Sequence, residues 1–118
     1  MKINEIYKGD CLELMPKFVD SKSVDMIFCD LPYGTIDCTW DSVIDLDKLW
    51  SEYKRVIKPK GAILLFGSEP FSSILRTSNL KAYRTEWFWN KRAASNVGLV
   101  KYHPLKIIET ISVLVLSP

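Results

Sequence analysis

Asp30-Leu31-Pro32-Tyr33-Gly34 follows directly on the apolar run Val24-Asp25-Met26-Ile27-Phe28-Cys29, and it is the stretch of this chain with the most evident chemistry. A hydrophobic strand that stops in a carboxylate, a rigid proline and an aromatic ring brings together an anion, a fixed backbone carbonyl and a flat stacking surface. The carboxyl end of a strand is where ligands bind in open α/β sheets. The Asp30 carboxylate and the main-chain carbonyl of Leu31, its geometry restricted by the proline that follows, are two acceptors able to hold both hydrogens of an amine. Tyr33 offers a face to a planar ring, and Gly34 lets the chain turn away beneath it. Read alone, the same five residues also describe an ordinary turn after a buried strand, capped by Asp30.

The elements that must position these residues follow from the alternation of apolar runs and polar breaks, which predicts strands separated by helices. Ile3 to Tyr7 is expected to form a first strand. Cys11 to Phe18 reads as a short helix with Asp10 as N-cap and Leu12, Met15 and Phe18 at helical spacing. Ser23 to Cys29 reads as a second strand. From Asp45 the positions Leu46, Leu49, Trp50, Tyr53, Val56 and Ile57 lie on one helix face, and Lys58-Pro59-Lys60-Gly61 should end that helix. Ala62 to Phe66 is the third strand, Pro70 to Leu75 opens a helix with proline in its first turn, and Tyr83 to Trp89 and Ile107 to Leu116 complete five strands. Ala93 to Pro104 is the longest stretch without periodicity, as functional loops often are.

The 118 residues, 47% of them apolar, suit one domain over residues 1–118. No apolar run approaches the roughly 18 residues of a membrane helix, and no basic segment followed by a hydrophobic one opens the chain, so a cytoplasmic protein without membrane contact is expected. Cys11, Cys29 and Cys38 are odd in number and widely spaced, which supports neither a disulfide framework nor a zinc site. His103, the only histidine, has no clustered partners for a metal, and Asp37, Asp41, Asp45 and Asp47 miss the spacing of a calcium loop. No metal is expected. Trp50, Trp87 and Trp89 are expected in the core, with Trp40, near the signature loop, held as a functional candidate. Residues 1–75 hold nine Lys or Arg against twelve Asp or Glu, and residues 76–118 hold seven against two. That basic tail reads either as a solvated surface or as a track for phosphates.

Asp30-Leu31-Pro32-Tyr33 resembles the Asp-Pro-Pro-Tyr signature of the amino-methyltransferases, which move a methyl group from S-adenosylmethionine to the exocyclic nitrogen of adenine or cytosine in DNA. The resemblance extends through Ile6-Tyr7-Lys8-Gly9-Asp10-Cys11-Leu12-Glu13-Leu14-Met15 before the signature, and through Gly34-Thr35 and Trp40-Asp41 after it. Gly61-Ala62-Ile63-Leu64-Leu65-Phe66-Gly67-Ser68 with Phe71, then Trp89-Asn90-Lys91, Pro104-Leu105 and Glu109, carry it to about Val115. It implies an α/β, Rossmann-like class I methyltransferase sheet, mostly parallel and incomplete, with about five strands and flanking helices. Asp30, Leu31, Pro32 and Tyr33 would be catalytic, and Asp10, Cys11, Asp30 and Leu31 would meet S-adenosylmethionine. Lys91, Arg92, Lys101 and Lys106, around the irregular stretch, are the candidates for DNA phosphates.

Leu31 stands where the signature has proline, and since that position would act through its backbone carbonyl the change is compatible with the role. The family's Phe-x-Gly-x-Gly loop has no counterpart, because the glycines at 9, 34, 61, 67 and 98 never form G-x-G. The resemblance therefore implies the catalytic-motif half of an enzyme: a fragment, a natural truncation, or a chain completed by a missing C-terminal segment or a second chain. An Asp at the first signature position favours N6 of adenine, with N4 of cytosine as the alternative. A catalytically silent DNA-binding or assembly module, and a methyltransferase for RNA or protein amides, are the rivals. Restriction-modification and phage self-protection are the roles such enzymes serve.

Overall fold

The computed structural model describes residues 3–32, 44–95 and 106–116. Helix α1 (Cys11–Phe18) starts where Asp10 accepts the Leu12 amide at 2.9 Å, which satisfies one of the donors a helix start leaves open. Strand β1 (Val24–Cys29) follows. Helix α2 (Leu46–Val56) is capped by Asp45 and buries Leu49, Trp50, Tyr53 and Val56, the apolar stripe seen in the sequence. It runs directly into β2 (Ile57–Gly67), which leads to α3 (Phe71–Ser78), β3 (Tyr83–Ser95) and β4 (Lys106–Leu114).

The sheet order is β1-β2-β4-β3. β1 and β2 are parallel, and β4 is antiparallel to both β2 and β3. β1, β2 and β3 therefore point the same way, with β4 inserted against them. The sheet is mixed where a mostly parallel one was expected, because the consecutive strands β3 and β4 pair directly and β4 fills the gap beside β2. Paired positions place Ile27, Cys29, Ile63, Leu65 and Leu114 on one face. Leu12, Met15, Leu49, Trp50, Tyr53, Phe71 and Leu75 from the three helices pack in the same core. The helices thus share one side of the sheet.

Four expectations are corrected. Ile3–Tyr7 forms no strand: Ile3 is 84% and Ile6 99% exposed, and among the described residues β1 has no neighbour on its outer edge against which they could be buried. Lys58-Pro59-Lys60 lies inside β2 rather than outside it, as a bulge between the pairs Val24–Ile57 and Met26–Ala62, with Lys60 at φ 67°. Buried Ile57 and the Lys58–Asp25 ion pair at 2.9 Å hold the start of that bulge to the sheet, and the Met26–Ala62 pairing resumes the ladder after it. β3 continues to Ser95, past Trp89, through an irregularity at Arg92, φ 63°. Trp87 and Trp89 are 54% and 46% exposed instead of lying in the core, because they point from the face that carries no helix among the described residues. No helix of the described residues is long and apolar enough to cross a membrane.

Arg55 ties α1 to the rest: its guanidinium donates to the Met15 carbonyl at 3.0 Å, to Glu52 at 2.8 Å and to Ser21 at 3.3 Å. α1 has no fully buried residue, so this clamp and the partly buried Leu12 and Met15 hold it in place. At the bulge, a Cβ on Gly61 would come within 2.6 Å of Ile57 Cγ1 and 3.0 Å of the Asp25 carbonyl oxygen. Gly61→Ala should therefore lower stability by about 1–3 kcal/mol, the usual cost of overpacking. Urea denaturation checks this, and an unchanged midpoint would contradict the bulge geometry.

Candidate active site

Asp30 is the first residue beyond β1 and is exposed, whereas the next residue, Leu31, is only 4% exposed and belongs to the core. Pro32 is half-buried. Burying Leu31 contributes roughly 2 kcal/mol and fixes the strand end with the carboxylate turned outward. Tyr33, the stacking candidate, lies outside the described residues, as do Trp40, Lys101 and His103.

Asp10 and Cys11 stand at the start of α1. Asp10 is exposed and already caps the helix with one carboxylate oxygen. The Cys11 thiol is raised above its ordinary value by burial, then by the Asp10 carboxylate and by Cys29. Cys29 is raised by burial and by Asp30, against a lowering hydrogen bond from Tyr53. Cys11 and Cys29 are thus within electrostatic reach of each other, so the start of α1 lies near the end of β1. Both thiols stay protonated at neutral pH, so Cys11 can line a pocket but is no nucleophile.

Tyr53 of α2 is a core neighbour of Cys29 that the sequence did not reveal. Its helical spacing marked it as a core side chain, but nothing in the spacing told that its phenol would meet Cys29, next to Asp30. Burial pushes its pKa well above 10.0, reinforced by Cys29. At the end of β2, a Cβ on Gly67 would lie 2.6 Å from Ser72 Oγ. Ser72 shares a hydrogen bond of 3.2 Å with Thr110, which donates to the Gly67 carbonyl at 3.0 Å. This polar contact seats α3 against the same end of the sheet.

Because β1, β2 and β3 run in one direction, Lys91 and Arg92, late in β3, lie toward the same end as Asp30. Lys106 opens β4 opposite Ser95, at that end too. Lys91 is engaged with Glu109 at 3.5 Å, the two side chains 17% and 22% exposed. Arg92 is exposed, its backbone N–H bonded to Asn90 Oδ1 at 2.9 Å. Among the described residues no three His, Cys, Asp or Glu side chains group as metal ligands.

No family model matches the chain. It is 31% identical over 117 residues to the type II methyltransferase M.HinfI of Haemophilus influenzae, an alignment covering 75% of this chain and 32% of that protein. Among solved structures, the M1.HpyAVI–SAM complex superposes with a TM-score of 0.68 at 18% identity, over 94% of this chain and 55% of the other. The cytosine-N4-specific PvuII DNA methyltransferase superposes with a TM-score of 0.67 at 12% identity, over 92% and 48%. Over these residues the chain is homologous to type II DNA methyltransferases, and its mixed α/β fold is methyltransferase-like. It spans about a third of the curated relative's length and about half of the solved chains it matches.

The Tyr53–Cys29 pair sets the behaviour at alkaline pH. Both groups have folded pKa values raised above their unfolded ones, so their contribution is complete below about pH 9 and is lost as the unfolded chain begins to ionise above it. Stability measured by urea titration should be level between pH 7 and the ordinary thiol value of 9.0, then fall. Tyr53→Phe with Cys29→Ala should make that fall shallower, and an unchanged alkaline limb would show that the pair is not buried as described.

Proposed function

We propose that this chain is the catalytic-motif half of an S-adenosylmethionine-dependent DNA amino-methyltransferase, with N6 of adenine as the preferred acceptor. The observation that carries the reading is the outward-facing Asp30 carboxylate on a strand end anchored by buried Leu31, in a chain homologous to type II DNA methyltransferases. An exocyclic amine is a weak nucleophile because its lone pair is delocalised into the ring. Asp30 and the Leu31 carbonyl accept its two hydrogens, favour a pyramidal nitrogen and stabilise the positive charge that develops there. This is electrostatic stabilisation by preorganised acceptors. The target base must leave the duplex to be reached, and Tyr33 then supports it by stacking, roughly 1–3 kcal/mol per base.

The donor set at this end suits S-adenosylmethionine, which supplies an electrophilic methyl group when bound. Asp10 has a second carboxylate oxygen for a nucleoside hydroxyl or amine, neutral Cys11 lines the wall without competing for the methyl group, and the Asp30-Leu31 segment closes one side. M1.HpyAVI was crystallised with SAM, which supports this assignment. Lys91, Arg92, Lys101 and Lys106 are assigned to the phosphates of DNA, with exposed Arg92 the most direct contact.

N4 of cytosine is the second reading, favoured by the structural likeness to PvuII methyltransferase, since both amines suit the same acceptors. Incubating the full-length translated product with duplex DNA and methyl-labelled S-adenosylmethionine, then separating the nucleosides, decides between them. N6-methyladenine is expected, N4-methylcytosine would replace the preference, and DNA binding without any transfer would select a silent module. Asp30→Ala should lower transfer by about 10²–10³-fold and, at an exposed position, change stability by no more than about 0.5 kcal/mol. Equal loss of folding and activity would contradict the catalytic role. Arg92→Ala should reduce the slope of log affinity against log salt by about one, measured by fluorescence anisotropy with duplex DNA.

A further inference from the structure

A cavity of about 490 Å³ opens between α2, the end of α3 and the turn that leads into β3, with Ala82 and Leu116 in its lining. Leu114 pairs with Ile63, and Ile63 with Ile27, so Leu116 lies toward the strand starts, at the end of the sheet opposite Asp30. At about 3.3 Å per residue this is roughly 16 Å from Asp30 along the strand axis. The walls are tied in place. The Trp50 indole N–H donates to Ser78 Oγ at 2.8 Å, which joins α2 to the end of α3. The Asn79 N–H donates to the Arg76 carbonyl at 3.2 Å, the Ala82 N–H to the Asn79 carbonyl at 3.1 Å, and the Val115 N–H to the Ala82 carbonyl at 2.9 Å. These bonds fix the turn that carries Asn79 and Lys81.

The lining has two sides. Trp50 and Ala82 are buried and, with Leu116, make an apolar one. Because Ser78 holds the indole N–H, the ring offers the cavity only apolar atoms. The polar side is made by Asp47, Ser51 and Lys54 with Asn79 and Lys81. Asp47, Trp50, Ser51 and Lys54 recur at the spacing of one helix face. Among the described residues, the side chains of these five polar residues make no hydrogen bond or ion pair. Asp47 and Lys54 stand seven positions apart, about 10.5 Å along the helix, so the carboxylate does not neutralise the ammonium. The neighbouring cations Arg55 and Lys58 are already paired, with Glu52 and Asp25. Two ammonium groups thus line one cavity without an acceptor.

The geometry points to a nucleotide as the occupant of this cavity. Its volume falls within the roughly 300–1,000 Å³ of small-molecule sites, and an apolar wall with a few convergent polar groups is their usual lining. Lys54 and Lys81 take the phosphate, for which an ammonium is a compact point charge. Trp50, Ala82 and Leu116 cover the heterocycle. Asn79, which both donates and accepts, and the acceptor Asp47 meet the hydrogen-bonding edge of the ring. A phosphate alone would leave the apolar wall unmatched, and an apolar ring alone would leave both cations without a partner. A free nucleotide and an unpaired nucleotide at the end of a nucleic-acid strand present the same chemistry. The cavity is separate from the Asp30 end, so the inference holds whichever base is methylated, and equally if none is.

The test titrates adenosine 5′-monophosphate into the full-length translated product, labelled with nitrogen-15 at the tryptophan indoles, with the Trp50 resonance assigned through Trp50→Phe. A saturable shift of the Trp50 indole signal is expected. Adenosine and inorganic phosphate should each bind at least about tenfold more weakly. Lys54→Ala and Lys81→Ala should each weaken the mononucleotide about five- to tenfold, whereas Lys48→Ala, exposed on the same helix and outside the cavity, should not. Far-UV circular dichroism on each variant separates lost binding from lost folding. A 5′-phosphorylated single-stranded oligonucleotide forms the second arm. Binding of the mononucleotide assigns the cavity to a free nucleotide, and binding of the oligonucleotide alone, with the same lysine dependence, assigns it to a strand end. No shift at Trp50 with either, binding insensitive to both lysines, or adenosine or phosphate matching the mononucleotide would overturn the inference. So would a shift confined to Asp10, Cys11 and Asp30, which would place the nucleotide at the other end of the sheet.

Discussion

The end of β1 is held by what lies on either side of Asp30. Leu31 is inserted in the core and Cys29 is packed against it, so on an extended chain the side chain between them turns outward, where Asp30 is exposed. An unpaired carboxylate would be costly to bury, and this anchoring lets it remain solvated at a fixed position. The parallel pairing of β1 with β2 and the seating of α3 by Ser72, Thr110 and Gly67 extend the same constraint along the sheet end. What the structure fixes is the direction of one acceptor relative to a rigid scaffold, which is what stabilising a developing charge requires.

Much of this was legible in the residues. The spacing of Leu49, Trp50, Tyr53 and Val56 gave α2 and its buried stripe, and Asp10 and Asp45 marked the starts of their helices. The strand before Asp30 followed from its apolar run. The failures have a common cause. Ile3–Tyr7 has strand composition, but a strand exists only through pairing, and among the described residues these five pair with no strand. Trp87 and Trp89 alternate as core residues would, yet burial depends on what covers the face they point from. Lys58-Pro59-Lys60-Gly61 carries turn chemistry, and whether a turn or a bulge results is decided by the neighbouring strand. The Tyr53–Cys29 contact joins residues 24 positions apart and leaves no periodic trace.

The candidate site divides in the same way. The signature residues could be singled out directly because their types suit the proposed chemistry. Their support could not. Arg55 clamping α1, or Glu109 holding Lys91 at 3.5 Å, depends on contacts between distant elements.

The most direct test of the central claim is a crystal structure of the full-length product with duplex DNA and an unreactive analogue of the methyl donor. The account predicts a flipped base whose exocyclic nitrogen lies about 2.7–3.2 Å from both an Asp30 carboxylate oxygen and the Leu31 carbonyl oxygen. A bound base whose amine is held by other groups, with the Asp30 carboxylate still facing solvent, would contradict it.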